Sequence, residues 1–258
     1  MSSQSTTIDE IITMVGEDVL INFLTVVQNN TTDSATLAAI EGYLADLTKT
    51  KVTVTPEQQA EMLSKIKVGI TDTFSMASFK NYYPNISLIK NVADVANYDL
   101  IIVPGGADID PAIYGEVNKA SDISKVRDDT EVPLVKEALR LRKKLFGVCR
   151  GHQLINALKG CSIIQDLYGY GYKAHGNTHD LEWVVSSGLL YKYFNGKPVI
   201  SMHHQAVLNA NIKNVCLYGG VVEGCENNTI ITTQFHPEFM EGTADFFAAL
   251  KSWAFNIQ

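Results

Sequence analysis

From Lys67 onward the chain is cut into short, β-branched apolar runs separated by helix-length stretches, and this alternation restricts the fold more than any other feature. The runs Val68 to Thr71, Ile86 to Ile89, Leu100 to Val103 and Lys144 to Val148 are bounded by turn residues and have almost no polar face. Strands of that kind must be covered on both sides, as happens in a mostly parallel sheet with helices on both faces. The intervening stretches Glu131 to Arg142 and His152 to Lys159 have helical character. The expected class is therefore α/β, with a doubly wound, mostly parallel sheet. Leu181 to Val185, Val199 to Met202, Val215 to Tyr218 and Thr229 to Gln234 add strands, some of them antiparallel, and Thr243 to Phe255 closes the chain as a helix.

Residues 1–66 read differently. Thr7-Ile8-Asp9-Glu10 and Thr55-Pro56-Glu57-Gln58 both fit a capping box, the second with proline at the first helical position. Between them, Ile8, Ile11, Ile12, Val15, Val19, Phe23 and Val27 recur at helical spacing, as do Leu37, Ile40, Leu44 and Leu47. About three helices are expected before the first strand. The segment is acidic: Lys49, Lys51 and Lys65 stand against nine acids, a balance of −6 out of the chain's net −7. The expected organisation is an acidic helical extension over residues 1–66, serving as a cap or as a docking surface for a protein partner, followed by an α/β domain over residues 67–258.

Composition narrows the functions. Without a concentrated basic surface, nucleic acid is an unsuitable partner. No apolar run approaches the roughly 20 residues that span a bilayer, and the polar start lacks the features of a signal peptide. No membrane association and a cytoplasmic location are expected. Cys149, Cys161, Cys216 and Cys225 show no C-x-x-C spacing, so reduced thiols are expected, with neither a zinc ribbon nor a redox pair. Dinucleotide-binding and Walker A glycine patterns are absent, and no cofactor is expected.

Four segments at strand ends carry candidate chemistry. Val148-Cys149-Arg150-Gly151-His152 places a cysteine where a buried strand runs straight into a helix, a junction that presents a nucleophile on a sharp turn beside the first helical amides. Gln234-Phe235-His236-Pro237-Glu238 offers a base, His236, with Glu238 two residues on to fix its tautomer. Pro104-Gly105-Gly106 lets backbone approach a ligand, and amides there and at Arg150 form a candidate oxyanion hole. His203-His204-Gln205 puts three hydrogen-bonding side chains at another strand end. Because neighbours on a strand point to opposite sides, at most one of the two histidines faces a pocket, and the pair does not chelate a metal. His175 and His179 are separated by glycine and asparagine, which argues for a loop and against a zinc site. Standing alone, each segment also reads as an ordinary feature: an inert buried cysteine, a surface turn, a glycine turn. Their combination favours chemistry.

In this order the segments resemble the class I glutamine amidotransferase superfamily, and most closely its gamma-glutamyl-gamma-aminobutyrate hydrolase branch. The resemblance covers about residues 67–256 and rests on PGGADIDPAIYGE (Pro104 to Glu116), Arg127-Asp128, CRGHQLIN (Cys149 to Asn156), SMHHQAV (Ser201 to Val207) and His236-Pro237-Glu238. It implies a flavodoxin-like sheet and a Cys149-His236-Glu238 triad that cleaves the side-chain amide of glutamine or of a small gamma-glutamyl compound through a thioester. It further implies oxyanion donors near Gly105, Gly106 and Arg150, and glutamyl-binding roles for Gln153, His203, His204 and Gln205. Two departures stand out: only Asp72 to Asn85 separates the first two strands, where the family's hydrolases usually carry a longer helix-bearing segment, and residues 1–66 have no counterpart in the pattern. The expected activity is gamma-glutamyl hydrolysis. The alternatives are a glutaminase subunit supplying ammonia to a separate ligase, and a catalytically silent binding protein that keeps the fold.

Overall fold

Four apolar runs become the parallel heart of one sheet: β1 (Val68–Ile70), β2 (Ser87–Leu88), β3 (Leu100–Val103) and β4 (Lys144–Val148). The computed structural model describes residues 55–173 and 175–255. The helices expected within residues 1–54 lie outside the described residues. The second capping box is formed: the Thr55 amide donates to Gln58 Oε1 at 2.9 Å and the Gln58 amide to Thr55 Oγ1 at 3.2 Å, opening α1 (Pro56–Ser64).

Seven of the remaining strands are β5 (Ile163–Ile164), β6 (Gly176–His179), β7 (Glu182–Trp183), β8 (Val199–Met202), β9 (Ala206–Val207), β10 (Asn214–Tyr218) and β11 (Val221–Glu226), and β12 (Ile230–Thr233) completes the set. The main sheet runs β2-β1-β3-β4-β12-β11-β10-β7, with pairing parallel as far as β12 and antiparallel beyond it. The first five positions follow the flavodoxin-like order 2-1-3-4-5. Strands β6 and β8 pair antiparallel as a separate two-stranded sheet.

Period-two sorting explains why the central runs are apolar throughout. Leu100, Ile102, Phe146 and Val148 face one layer, with Leu190 and Phe194 of α5 (Leu189–Phe194) and Phe246, Phe247 and Leu250 of α6 (Ala244–Ala254). Ile101, Val103 and Leu145 face the other, with Leu134, Val135 and Ala138 of α3 (Lys125–Arg140) and Leu154, Ile155 and Ala157 of α4 (Arg150–Leu158). Each fully buried Leu, Ile or Phe contributes about 1.5–3 kcal/mol, so both layers are needed.

Three departures from the sequence expectation have a clear physical cause. Helix α3 starts at Lys125, ahead of the expected Glu131, because its first turns bury ionic rather than apolar side chains. His175 to His179, expected as a loop, runs into strand β6, since pairing with β8 supplies a ladder that overrides the weak β-propensity of glycine and asparagine. Strand β11 is hidden in the sequence because Glu223 and Gly224 interrupt its apolar run. Between β1 and β2 there is only the short helix α2 (Met76–Lys80), in keeping with the short spacing seen in the sequence.

Candidate active site

The carboxyl ends of β3, β4 and β12 lie side by side, and the loops leaving them carry Gly105, Cys149 and His236. Cys149 sits at φ 50°, ψ −105°, a conformation that costs a residue with a Cβ about 1–3 kcal/mol and that tolerates no slack on either side. The strain follows from geometry: α4 begins at the next residue, and its Gly151 lies so close to β3 that a Cβ there would sit 1.9 Å from the Val103 carbonyl oxygen. The Cys149 amide is held by the Thr233 carbonyl at 2.8 Å, so the turn is pinned to β12.

His236 is fixed just as firmly. Its amide donates to the Ile200 carbonyl at 2.8 Å, and the turn Pro237–Phe239 swings Glu238 back beneath the ring, where Oε1 accepts from Nδ1 at 2.8 Å. Phe239 stacks on the imidazole with centroids 5.2 Å apart. With Nδ1 committed to Glu238, Nε2 is left for the Cys149 side chain, whose interaction with the ring raises the imidazole. A Cβ on Gly105 would fall 2.9 Å from His236 Cε1 and 3.5 Å from Cys149 Cβ. Only a glycine there lets the loop after β3 close on the pair.

A buried ionic network behind Cys149, missed in the sequence, locks the two loops together. The Arg150 guanidinium, 1% exposed, binds Glu131 through Nη1 and Asp128 Oδ1 through Nη2 at 2.5 Å. Arg127 Nε binds Glu131 Oε2 at 2.9 Å while its Nη2 donates to the Pro104 carbonyl at 3.2 Å. Thr71 donates to Glu131 Oε1 at 2.5 Å, and Asp128 Oδ2 accepts the Asp110 amide at 3.0 Å. Two guanidiniums and two carboxylates thus bridge β1, the loop after β3 and the residue after Cys149. Gly106, at φ 146°, is shaped by the same network, because a Cβ there would meet Arg127 Nη1 at 1.7 Å. The available signal was the Arg127-Asp128-x-x-Glu131 spacing, which puts all three on one side of a helix.

The remaining candidates are more dispersed. His204 turns outward to Asp108 Oδ2 at 3.0 Å, on the loop after β3, whereas His203 turns inward towards Glu223, so the two rings point apart as strand geometry requires. The Gln205 amide is engaged by Ser121 Oγ at 2.7 Å and the Gln165 carbonyl. Gln153 is buried, its amide nitrogen donating to the Gln205 carbonyl at 3.1 Å and to Gln234 Oε1. His152, next to the elbow, is pushed down to about 3 by burial, so it is neutral and no base at ordinary pH.

The peptidase C26 family profile matches residues 40–238. The chain belongs to the peptidase C26 family. Protein NtpR of Enterococcus hirae is 33% identical over 182 residues, covering 60% of this chain and 76% of that protein. The Lactococcus lactis protein YvdE, described as glutamine amidotransferase-like, is 31% identical over 179 residues, covering 61% of this chain and 75% of its own. Among solved structures, a glutamine amidotransferase of Thermotoga maritima superposes with a TM-score of 0.52 at 16% identity, covering 67% of this chain and 76% of that one, and shares the fold. Membership carries with it a class I glutamine amidotransferase-like hydrolase fold. Among the described residues, no helix of this C26 chain is long and apolar enough to cross a membrane.

The electrostatics of this C26 site centre on His236. Burial alone would push the imidazole down, but its hydrogen bonds and charge interactions with Cys149 and Glu238 outweigh that and raise it from 6.5 to about 10. A raised value means the fold favours the protonated ring. That contribution to stability is complete below about pH 6.5 and is lost as pH rises through about 10. The arrangement favours an imidazolium beside Cys149, held by a carboxylate.

Proposed function

We propose that this chain is a cysteine-dependent hydrolase that cleaves the gamma-glutamyl amide bond of a small gamma-glutamyl compound. The observation that carries the reading is the buried Cys149-His236-Glu238 cluster, with His236 raised by Cys149 and Glu238 at the strained strand-to-helix turn. Cys149 Sγ, as the thiolate paired with the His236 imidazolium, attacks the gamma carbonyl carbon, and the amides near Gly106 and Arg150 receive the oxyanion. The C–N bond breaks as His236 passes its proton to the leaving amine. Water then attacks the glutamyl thioester, His236 takes the proton, and glutamate leaves. Glu238 orients the ring throughout and stays ionised.

The description of YvdE as glutamine amidotransferase-like supports a second reading, with free glutamine as substrate and ammonia passed to a partner docked on residues 1–66. A panel of gamma-glutamyl amides that includes glutamine separates the two. Hydrolysis by the isolated chain that favours substituted amides supports the first reading. Weak release from glutamine alone, rising on addition of a ligase, overturns it.

The imidazolium also predicts a pH profile. On a gamma-glutamyl amide, kcat/KM is expected to hold through mildly alkaline pH and to fall as pH passes about 10, when the leaving amine loses its proton donor. Glu238→Gln removes one of the groups that raise His236, so the alkaline limb should move to lower pH. Superimposable limbs for the two proteins would contradict the assigned role of Glu238.

A further inference from the structure

A second cluster of histidines and a carboxylate lies outside the Cys149 group and is used by no step above. His175 immediately precedes β6, His203 immediately follows β8, and Glu223 lies within β11. Their side chains are 0%, 2% and 0% exposed, and one ligand atom from each lies within 4.8 Å of the others. Glu223 is a fully buried acid in a strand that is paired on both sides, a costly position without a cation.

The ring nitrogens are arranged for coordination. His203 Nδ1 is 2.9 Å from the Gln205 carbonyl, and a carbonyl only accepts, so Nδ1 carries the proton and the Nε2 lone pair is turned inward, 3.4 Å from Glu223 Oε1. His179 repeats the device: Nδ1 is 3.1 Å from the Asp180 carbonyl, and Nε2 faces Glu223 Oε2 at 3.8 Å while accepting from Ser201 Oγ at 2.9 Å. His175 places Nδ1 2.9 Å from Glu223 Oε1. His175 Nε2, His203 Nε2 and Glu223 Oε2 are buried without a hydrogen-bond partner. The His203 lone pair facing a carboxylate oxygen is repelled unless a proton or a metal cation lies between them. Backbone carbonyls that hold the outer nitrogen of an imidazole are the usual support of a metal-bound histidine.

We propose that His175, His203 and Glu223 bind a divalent transition-metal ion, Zn2+ by ligand chemistry, with water completing the shell. Nitrogen and carboxylate donors at about 2.0–2.2 Å from zinc stand about 3.4 Å apart in a tetrahedral shell, the separation of His203 Nε2 and Glu223 Oε1. His179 Nε2 is held by Ser201 Oγ and stays outside the shell. The ion would staple the β6–β8 sheet to β11, and it would brace the end of β8, where the Met202 carbonyl lies 4.0 Å from Cys149 Sγ.

The sequence expectation of no metal rested on pairs of neighbouring histidines. The site instead draws one residue from each of three distant segments, which no local spacing reveals.

The test uses the full chain carrying Cys149→Ala, so that the catalytic thiol cannot hold metal. The chain is stripped with a chelator and titrated with Zn2+ against a chromophoric competitor, then with Co2+ followed by its visible spectrum. Expected are about one tightly bound equivalent, a four-coordinate Co2+ spectrum and a rise in Tm on metal addition. Glu223→Gln and His175→Gln should each weaken binding by at least about 100-fold. Binding no tighter than about micromolar by the stripped parent chain would overturn the site in favour of a buried proton, whatever the variants do. Full retention of metal by a folded Glu223→Gln chain would overturn it in favour of another location.

Discussion

Cys149→Ala is expected to lower kcat on a gamma-glutamyl amide by about 10⁴-fold or more while leaving the melting temperature within about 2 °C of wild type. The loss is large because a nucleophile that forms the covalent bond has no substitute, and its effect exceeds that of any residue acting through it. The fold should survive, since alanine has the same Cβ as cysteine and meets the same strain at φ 50°. Initial rates by glutamate release, together with a thermal melt of the same preparation, check both halves. An alanine variant with wild-type turnover would remove Cys149 from the chemistry.

Glu131→Gln is expected to be the most destabilising single change near the site, by about 3–5 kcal/mol. It breaks a buried network by removing one charge, which leaves the Arg127 and Arg150 guanidiniums with only Asp128 and Asp72 as anionic partners. In a domain of this size each kcal/mol moves Tm by about 2–4 °C, so urea and thermal unfolding both resolve the effect. If the variant still folds at low temperature, kcat should fall more than KM rises, because the loosened part is the frame of the oxyanion loops rather than a substrate contact. A loss below about 1 kcal/mol would mean that the network is solvated or dispensable.

Much of the frame is legible in the sequence because apolar period and strand burial are local signals. Leu100 to Val103, Lys144 to Val148 and Val199 to Met202 are strands with the bounds read from sequence, and each candidate segment at their ends stands at a strand end in space. Cys149 and His236 can be paired from sequence only because each ends an apolar run. What stays hidden has one physical cause: buried charge leaves no periodic trace. The apolar pattern starts helix α3 late because the first turns bury Asp128 and Glu131 against Arg150, and it passes over β11 because Glu223 interrupts the strand. Gln205 and Gln153 read as free to meet substrate, yet their amide nitrogens already have protein partners, which chain spacing does not disclose.

The central claim is that the gamma-glutamyl group rests on Cys149. Its most direct test is to mix the protein with an activated gamma-glutamyl anilide, quench in acid within the first turnover, and measure intact and peptide masses. The account predicts a glutamyl adduct confined to the peptide containing Cys149, present in wild type and absent from Cys149→Ala. Hydrolysis that proceeds with no adduct at any quench time, and at the same rate in both proteins, would contradict it.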